Sequence, residues 1–306
     1  MNRILVIANK WWECDPALAA MLNSNGGGCA PDTPWPSMLN PSRPPPESLS
    51  LFNRDPLPRA IFTYSKFTVE VWCVSDLLDG LPSAKQSSSQ AKAERLPRIF
   101  SSGPDPLLVI AAGTASSAID NYELIGGVAV GTGVYMNNGR DLDATSTSDW
   151  HGPFDTLIPS SITPQTFSSI SGLDRASALK AFLPMPFRNP NPSQPMSPPS
   201  ISVGFSDVAL GTINVCSPAA YSEADKATIG AFRGANTGFN PVSVETTHGL
   251  IRVQSESPFV FVSGIVNRCL HFSDDAAPHQ AAQDLAGAHN AGVTISWLLS
   301  SLNRSM

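Results

Sequence analysis

The chain has 306 residues, of which 14% are charged, and a net charge of −6. This length allows a large buried core, and one large domain is expected. The acidic balance and the scattered positions of the 19 Lys and Arg residues exclude a basic stripe of the kind that binds nucleic acids, so we expect no nucleic-acid partner.

The five cysteines are widely spaced and include no CxxC pair. An odd number of separated cysteines favours buried thiols over a disulfide framework. The amino terminus has too short an apolar stretch for a secretory signal, and no apolar run reaches the length of a transmembrane helix. We therefore expect a soluble, cytoplasmic protein with no membrane partner.

A short apolar run at Ile4 to Ala8 predicts a central parallel strand. A helix is predicted to follow it, with Pro16 in the first turn. Trp11, Trp12 and Glu13 lie between the two elements. They either face a ligand from a strand-to-helix loop, or they serve as packing anchors and a first-turn helix charge.

Two proline-rich stretches, at about 23–58 and 184–200, exclude helices and central strands. We interpret them as long insertions in a single domain that spans residues 1–306. Long loops inside a compact domain are usually functional or disordered.

The middle of the chain predicts strands at 60–64 and 67–74, then a polar helix or solvated loop at 83–98. Leu107 to Ala112 is a second buried strand, predicted to run into a turn of small residues at 113–117, where backbone could approach a ligand closely. Gly126 to Tyr135 alternates small and apolar residues, which favours a strand in a crowded, barrel-like sheet.

The later part of the chain continues the alternation of strands and helices. Helices are predicted at 173–183, 223–232 and 276–302, and strands at 208–216 and 258–265. The fold class is therefore α/β, a three-layer sandwich around a central mixed, partly barrel-like sheet.

Two polar residues flank the apolar run that ends at Ile265. Because ligands of open α/β sheets bind beyond the carboxyl ends of strands, Glu245 and Asn267 could face one pocket. The alternative is that Glu245 stabilises a helix amino terminus through its charge and that Asn267 is a turn residue.

A run near residue 275 contains His271, Asp274, Asp275 and His279, but its spacing matches no standard metal site. The two aspartates more simply begin the last helix. We therefore expect no metal.

Four segments, taken together and in order, resemble the nucleoside phosphorylase and nucleosidase superfamily. This superfamily includes the purine and uridine phosphorylases and the methylthioadenosine/S-adenosylhomocysteine nucleosidases. The matching segments read ILVIANKWWE, LLVIAAGTASSAI continuing into GGVAVGTGVY, VSVETTHGLI and PFVFVSGIVN. The resemblance implies cleavage of the bond between a ribose and a nucleobase, through a transition state with oxocarbenium character.

The resemblance assigns stabilisation of the leaving base to Asn267, where nucleosidases carry Asp. An amide donates hydrogen bonds but cannot act as a general acid near neutral pH. Phosphorylases of oxo-purines such as inosine and guanosine carry Asn at this position. The departure therefore indicates either an oxo-purine substrate or a loss of activity.

The resemblance assigns the sugar hydroxyls to Glu245, in a segment where Val244 replaces the family's usual Met. His248 lies one helical turn further on and could assist, although a histidine beside a core helix is more often structural.

Glu13 falls where a nucleosidase carries the glutamate that activates water. Gly113, Thr114, Ala115 and Ser116 are predicted to line the sugar or anion site. The resemblance slightly favours hydrolysis, because the first loop lacks the glycine-plus-arginine pattern of hexameric phosphorylases. Arg140 and Arg268 could still hold inorganic phosphate as a co-substrate, and no other cofactor is implied.

The resemblance further implies a homo-oligomer that binds a small-molecule nucleoside. The aromatic residue that stacks on the base stays open among Phe154, Phe167, Phe205 and the two tryptophans at 11 and 12. A different class of function is also open, a non-catalytic binder of nucleosides or nucleobases on the same fold.

Overall fold

A computed structural model describes the following parts of the chain: residues 2–24, 57–78, 81–82, 85, 88–137, 152–154, 172–185, 198–204, 209–215, 239–275 and 280–305.

Eleven strands form one mixed sheet in this part of the chain. They are β1 (Asn2–Ala8), β2 (Ala60–Tyr64), β3 (Phe67–Cys73), β4 (Leu108–Ser117), β5 (Val128–Gly131), β6 (Gly133–Asn137), β7 (Gly152–Phe154), β8 (Ile201–Gly204), β9 (Ala209–Val215), β10 (Phe239–Glu245) and β11 (Phe259–Arg268).

Eight α-helices accompany the strands in the described ranges. They are α1 (Trp11–Ser24), α2 (Val74–Leu78), α3 (Ser89–Arg95), α4 (Pro97–Phe100), α5 (Gly172–Lys180), α6 (His248–Arg252), α7 (Phe272–Asp275) and α8 (Gln280–Ser305), with a short 3-10 helix at Tyr122–Leu124.

The sheet is partly closed into a barrel. Strand β4 pairs in parallel with β1 and β11, and the end of β4 also pairs antiparallel with β10. Strands β5 and β6, separated by one residue, pair with β11 and β9 respectively, and β9 pairs with β10. The path thus runs by strand pairing from β4 through β11 to β5, passes along the chain from β5 to β6, and returns by pairing through β9 and β10 to β4. This confirms the predicted three-layer α/β fold with a partly barrel-like sheet.

Each face of the sheet is covered by its own helices and its own apolar core. On one face, residues of α1, α5 and α8 pack against alternate side chains of β1, β4 and β11. On the other face, residues of α2, α3, α4 and α6 pack against the intervening side chains. The alternation follows from the two-residue period of a strand, and it makes the central strands apolar on both faces.

A buried ionic cluster fixes the beginnings of two helices. The guanidinium of Arg59 donates to Asp15 at 2.8 Å and to Asp76 at 2.6 Å. Asp15 lies on α1 and Asp76 on α2, so one cation holds the two helices that follow β1 and β3. Burying an ion pair is costly unless the charges are well paired, which this geometry provides.

Several predicted boundaries were wrong. Helix α1 begins at Trp11 rather than near Pro16, which lies inside the helix. The expected turn at 113–117 is instead the last half of β4, because its small residues continue the pairing with β11 and β10. The expected single strand at 126–135 is divided into β5 and β6.

The carboxyl-terminal region also differs from expectation. Asp274 and Asp275 belong to the short helix α7 rather than to the last helix, α8, which is described from Gln280. Strands β7, β8 and β10 were not predicted. In contrast, the strands at 60–64, 67–74, 208–216 and 258–265 are confirmed, with no end differing by more than three residues.

Most of both proline-rich insertions, and the predicted helix at 223–232, lie outside the described residues. The organisation as one domain with two insertions stays a prediction. Among the described helices, none is both long enough and apolar enough to cross a lipid bilayer.

Candidate functional site

A pocket of about 400 Å³ opens where the carboxyl ends of β1, β4, β10 and β11 meet. Every predicted site residue except Gly113 lines it. Its described walls are Asn9, Lys10, Trp12, Glu13, Thr114, Ala115, Ser116, Val244, Glu245, Thr246, His248, Val266, Asn267, Phe272 and Asp284. The sheet therefore brings together acids from opposite ends of the sequence.

Glu13 is buried in the first turn of α1, and its carboxylate is tied to the end of β4. Oε1 accepts hydrogen bonds from the backbone N–H of Thr114 at 2.9 Å and from its hydroxyl at 2.7 Å. Oε2 accepts from the backbone N–H of Lys10 at 3.0 Å. A carboxylate has about four lone-pair positions, so one position on Oε2 stays open for a water or ligand.

Burial raises the pKa of the Glu13 carboxyl, although the hydrogen bonds from Thr114 and Lys10 and the charge of His248 act in the opposite direction. Desolvation penalises the charged form of an acid, which explains the direction. A carboxyl with a raised pKa is better suited to accept a proton near neutral pH than an ordinary glutamate.

Gly113 lies against the carboxylate of Glu13 and does not line the pocket. A Cβ at this position would lie 3.0 Å from Oε1 of Glu13. The missing side chain therefore leaves room for the carboxylate, which is a different role from the predicted contact with a ligand.

Glu245 ends β10 and is almost fully buried. Its Oε2 accepts hydrogen bonds from the backbone N–H groups of Thr247 and His248, at the beginning of α6. Its Oε1 is buried and has no hydrogen-bond partner among the described residues. One oxygen therefore stabilises the helix amino terminus, as the alternative interpretation expected, and the other has open acceptor capacity, so the predicted contact with a ligand stays a prediction.

Asn9 contributes a second unpaired acceptor to the same pocket. Its Oδ1 is buried and has no hydrogen-bond partner in the described part of the chain, while its Nδ2 lies 3.5 Å from the hydroxyl of Thr246. Buried polar atoms without partners are costly, so two such acceptors in one pocket favour a ligand that donates hydrogen bonds.

Asn267 lies in β11, next to an irregularity in its pairing with β4 between Ile265 and Asn267. Its Nδ2 donates to Ser116 Oγ at 3.0 Å and to the carbonyl of Arg268 at 2.8 Å. Its Oδ1 lies 3.2 Å from Ser116 Oγ. Both amide hydrogens are therefore used within the protein, which leaves acceptor capacity on Oδ1 for a ligand.

His248 forms part of the pocket wall at the beginning of α6. Its ring stacks on Phe261, with the ring centroids 6.3 Å apart, and its Nδ1 lies 3.5 Å from Ser263 Oγ. These contacts give it a structural role within the pocket wall.

Asp284 is a pocket carboxylate that the sequence did not indicate. It lies on α8, is half-buried, and makes no hydrogen bond with the described residues. Burial, together with the nearby charge of Glu13, raises the pKa of Asp284 to about 7. The sequence gives no signal for this residue, because Asp284 is one position of a long amphipathic helix and no motif separates it from an ordinary solvent-exposed acid.

Arg268 does not reach the pocket, because other groups hold its guanidinium. It pairs with Asp275 at 3.0 Å and Asp120 at 2.6 Å, and it stacks over the ring of Tyr122 at 4.4 Å. The proposed partner in a phosphate clamp, Arg140, lies outside the described residues.

The described residues of the suggested metal cluster lie next to groups that can carry the opposite charge. His271 lies near Asp120 and Asp274, and Asp275 binds Arg268, while His279 lies outside the described residues. Across the described ranges, no group of three or more His, Cys, Asp and Glu side chains is placed to hold a metal ion.

Of the Trp, Tyr and Phe residues that the structure describes, Trp12 and Phe272 line the pocket. Trp12 was among the predicted candidates for stacking on a base, whereas Phe272 was not. Trp11 packs against the core instead. Phe167, Phe205 and the side chain of Phe154 lie outside the described part of the structure.

A scan against protein-family models finds no match, and a search of curated proteins finds none either. Solved structures do match over nearly the whole chain. A methylthioadenosine/S-adenosylhomocysteine (MTA/SAH) nucleosidase has a TM-score of 0.54 and 13% identity, covering 100% of this chain and 96% of its own. The chain has the nucleosidase fold.

Two further nucleosidases share this architecture. The 5′-methylthioadenosine nucleosidase of Arabidopsis thaliana has a TM-score of 0.53 and 13% identity, covering 98% of this chain and 96% of its own. The S-adenosylhomocysteine nucleosidase of Streptococcus pyogenes has a TM-score of 0.50 and 14% identity, covering 98% and 97%. The resemblance found in the four sequence segments is therefore confirmed at the level of the fold.

Proposed function

We propose that this protein hydrolyses the N-glycosidic bond of a nucleoside, with Glu245 binding the sugar. The observation that carries the proposal is the unpaired, buried Oε1 of Glu245, in a pocket that also contains Glu13. Adjacent hydroxyls of a ribose would donate to this oxygen and remove the cost of leaving it unpaired. Such charge-assisted hydrogen bonds are strong and directional.

Glu13 is proposed to orient and deprotonate the attacking water. Its three hydrogen bonds fix the carboxylate, and the open position on Oε2 can accept the proton of a water. The water oxygen forms a bond to the anomeric carbon, and the bond to the base breaks with its electron pair leaving on the base. The proton of the water passes to Glu13.

Hydrolysis is favoured over phosphorolysis by the charges of the pocket. Three carboxylates line it, on Glu13, Glu245 and Asp284, whereas Lys10 and His248 are the described basic residues on its walls. The ionised forms of these acids would repel phosphate, an anion, and this repulsion grows as the pH rises through the raised pKa values of Glu13 and Asp284. Arg268 cannot offset this repulsion, because its guanidinium is paired with Asp120 and Asp275.

The leaving base is proposed to be a purine, with an oxo-purine preferred. An amide at position 267 cannot protonate the base, and the acceptor Oδ1 can receive a hydrogen bond from a ring N–H once that nitrogen is protonated from solvent. The acceptor Oδ1 of Asn267 therefore suits a leaving base, such as an oxo-purine, that carries a ring N–H once it has been protonated.

A nucleoside panel tests the proposal. Purified protein is incubated with inosine, guanosine, adenosine and 5′-methylthioadenosine, with and without inorganic phosphate, and free base is measured. We expect base release without phosphate and no acceleration when phosphate is added. Release that depends on phosphate would contradict hydrolysis, and no release from any nucleoside would contradict the enzymatic proposal.

A second candidate function is supported by the same Asn267. Because both of its amide hydrogens are engaged and it cannot donate a proton, the pocket could bind a nucleoside without cleaving it. Calorimetric titration separates the two candidates: a nucleoside that binds and is recovered intact supports the binder.

A further inference from the structure

Asp284 differs from the other pocket carboxylates in having no hydrogen-bond partner among the described residues. Glu13 accepts three hydrogen bonds and Glu245 accepts two, all from protein groups. Asp284 is half-buried in the same pocket and accepts none from the described residues. Its carboxylate is therefore available to a ligand.

Close packing of α8 fixes Asp284 at this place. A Cβ at Gly287 would lie 2.5 Å from Cγ1 of Val266 and 3.3 Å from Cγ2 of Thr114, so the helix lies directly against β11 and β4. The side chain of Gln283 donates to the carbonyl of Val266 at 3.0 Å. Asp284 precedes Gly287 by three residues and so lies on the same face of the helix, where it lines the pocket together with Thr114 and Glu13.

Asp284 and Glu245 belong to elements associated with opposite faces of the sheet. Asp284 belongs to α8, in the helical layer that also contains α1, whereas Glu245 leads into α6, in the other layer. If Glu245 holds the two adjacent hydroxyls of a ribose, that edge of the ring faces the α6 side. The opposite edge, with the ring oxygen and the carbon that bears the 5′ substituent, then faces α8.

The chemistry of an unpaired carboxylate determines which substituent fits there. A bound nucleoside would displace water from Asp284, and an apolar substituent would leave the carboxylate without a partner. Burial and the charge of Glu13 already disfavour its ionised form. A hydroxyl or amine would supply the missing hydrogen bond and offset this cost.

We propose that Asp284 binds the 5′ substituent of the sugar and selects nucleosides that carry a hydrogen-bond donor, a hydroxyl or an amine, at that position. The inference rests on the proposed nucleoside hydrolysis and adds the class of substrate. It distinguishes free nucleosides from nucleosides with an apolar 5′ group such as methylthio.

The test compares two substrates that differ by one oxygen, inosine and 5′-deoxyinosine. The wild-type protein should prefer inosine in kcat/KM by roughly 10- to 100-fold, the range expected for a hydrogen bond to a charged group. In Asp284→Leu this preference should fall to nearly one, with 5′-deoxyinosine cleaved as well as or better than by the wild type. Asp284→Asn keeps the shape and an acceptor but loses the charge, so its preference should lie between the two.

Ala282→Leu is the matched control, because it introduces the same side chain at an exposed position of the same helix turn. It should keep the wild-type preference. Asp284 does not recognise the 5′ group if Asp284→Leu and Asp284→Asn both keep the wild-type ratio of kcat/KM values. The same holds if they lower kcat/KM equally for inosine and 5′-deoxyinosine, which also leaves the ratio unchanged. That result would overturn this inference and leave the hydrolytic proposal intact. If the wild type cleaves neither substrate nor any nucleoside of the panel, the proposed function itself fails.

Discussion

At the residue scale, the pocket depends on how each carboxylate is partnered. Glu13 is saturated except for one lone-pair position, Glu245 has one free oxygen, and Asp284 is open to a ligand. Three carboxylates thus acquire three different proposed tasks, because their surroundings differ. The pKa of Glu13 is raised by burial, which is the change a general base near neutral pH requires.

We expect Glu13→Gln to lower kcat/KM by roughly 100- to 10,000-fold, the contribution typical of a general base. The amide keeps the shape but cannot accept the proton of the water. In the wild type, the rate should fall as the pH drops through the raised pKa of Glu13, because the protonated acid is not a base. Steady-state rates across pH check this.

Glu256→Gln, at an exposed position, serves as the surface control and should keep the wild-type pH profile. A Glu13→Gln protein with full activity and an unchanged profile would remove Glu13 from the mechanism.

At the element scale, the pocket is held together by contacts between the beginnings of helices and the ends of strands. Arg59, next to β2, joins α1 and α2 through Asp15 and Asp76. Since Asp15 is two residues from Glu13, this buried cation also fixes the turn of α1 that presents the proposed base. Close backbone contact between Gly264 of β11 and Gly287 fixes the position of α8, the helix that carries Asp284.

Arg59→Met should lower the free energy of unfolding by about 3–5 kcal/mol, because it leaves two buried carboxylates without their cation. Urea denaturation monitored by circular dichroism measures the change. Arg98→Met, which removes an exposed arginine, should change the stability by no more than about 0.5 kcal/mol. Equal stability of the two variants would show that the cluster contributes little.

At the scale of the whole molecule, the partly closed sheet gathers the ends of four strands into one acidic pocket. Leu270 and the pocket-lining Phe272 are exposed apolar residues, with Leu270 in the left-handed region at φ 60. The resemblance implies an oligomer, and a neighbouring copy that covered these two side chains would remove apolar surface from water.

We expect the mass in solution, measured by light scattering after size exclusion, to be a multiple of the 32.4 kDa chain. Phe272→Ser should shift the distribution towards the monomer, whereas Lys66→Ser, far along the chain on the β2–β3 turn, should not. A wild-type mass equal to one chain at micromolar concentration would contradict the oligomer.

The sequence by itself determined the elements that repeat a local pattern. The apolar runs of β1, β4 and β11 indicate strands buried on both faces, because a run of this kind leaves no side of the strand for solvent. The order of four short segments was sufficient to indicate the nucleosidase fold. Glu13, Glu245 and Asn267 were predicted as site residues in the same way, since each lies in one of these segments, at or shortly after the end of a strand.

The tertiary structure alone decided which side chains share the pocket and which do not. Asp284 enters it through the packing of α8 on β4 and β11, and Arg268 is withdrawn from it by Asp120, 148 residues away in the sequence. The extension of β4 through Ser117 likewise depends on pairing with β10 and β11. These features are set by register and packing between distant segments, and a local pattern of residues does not carry that information.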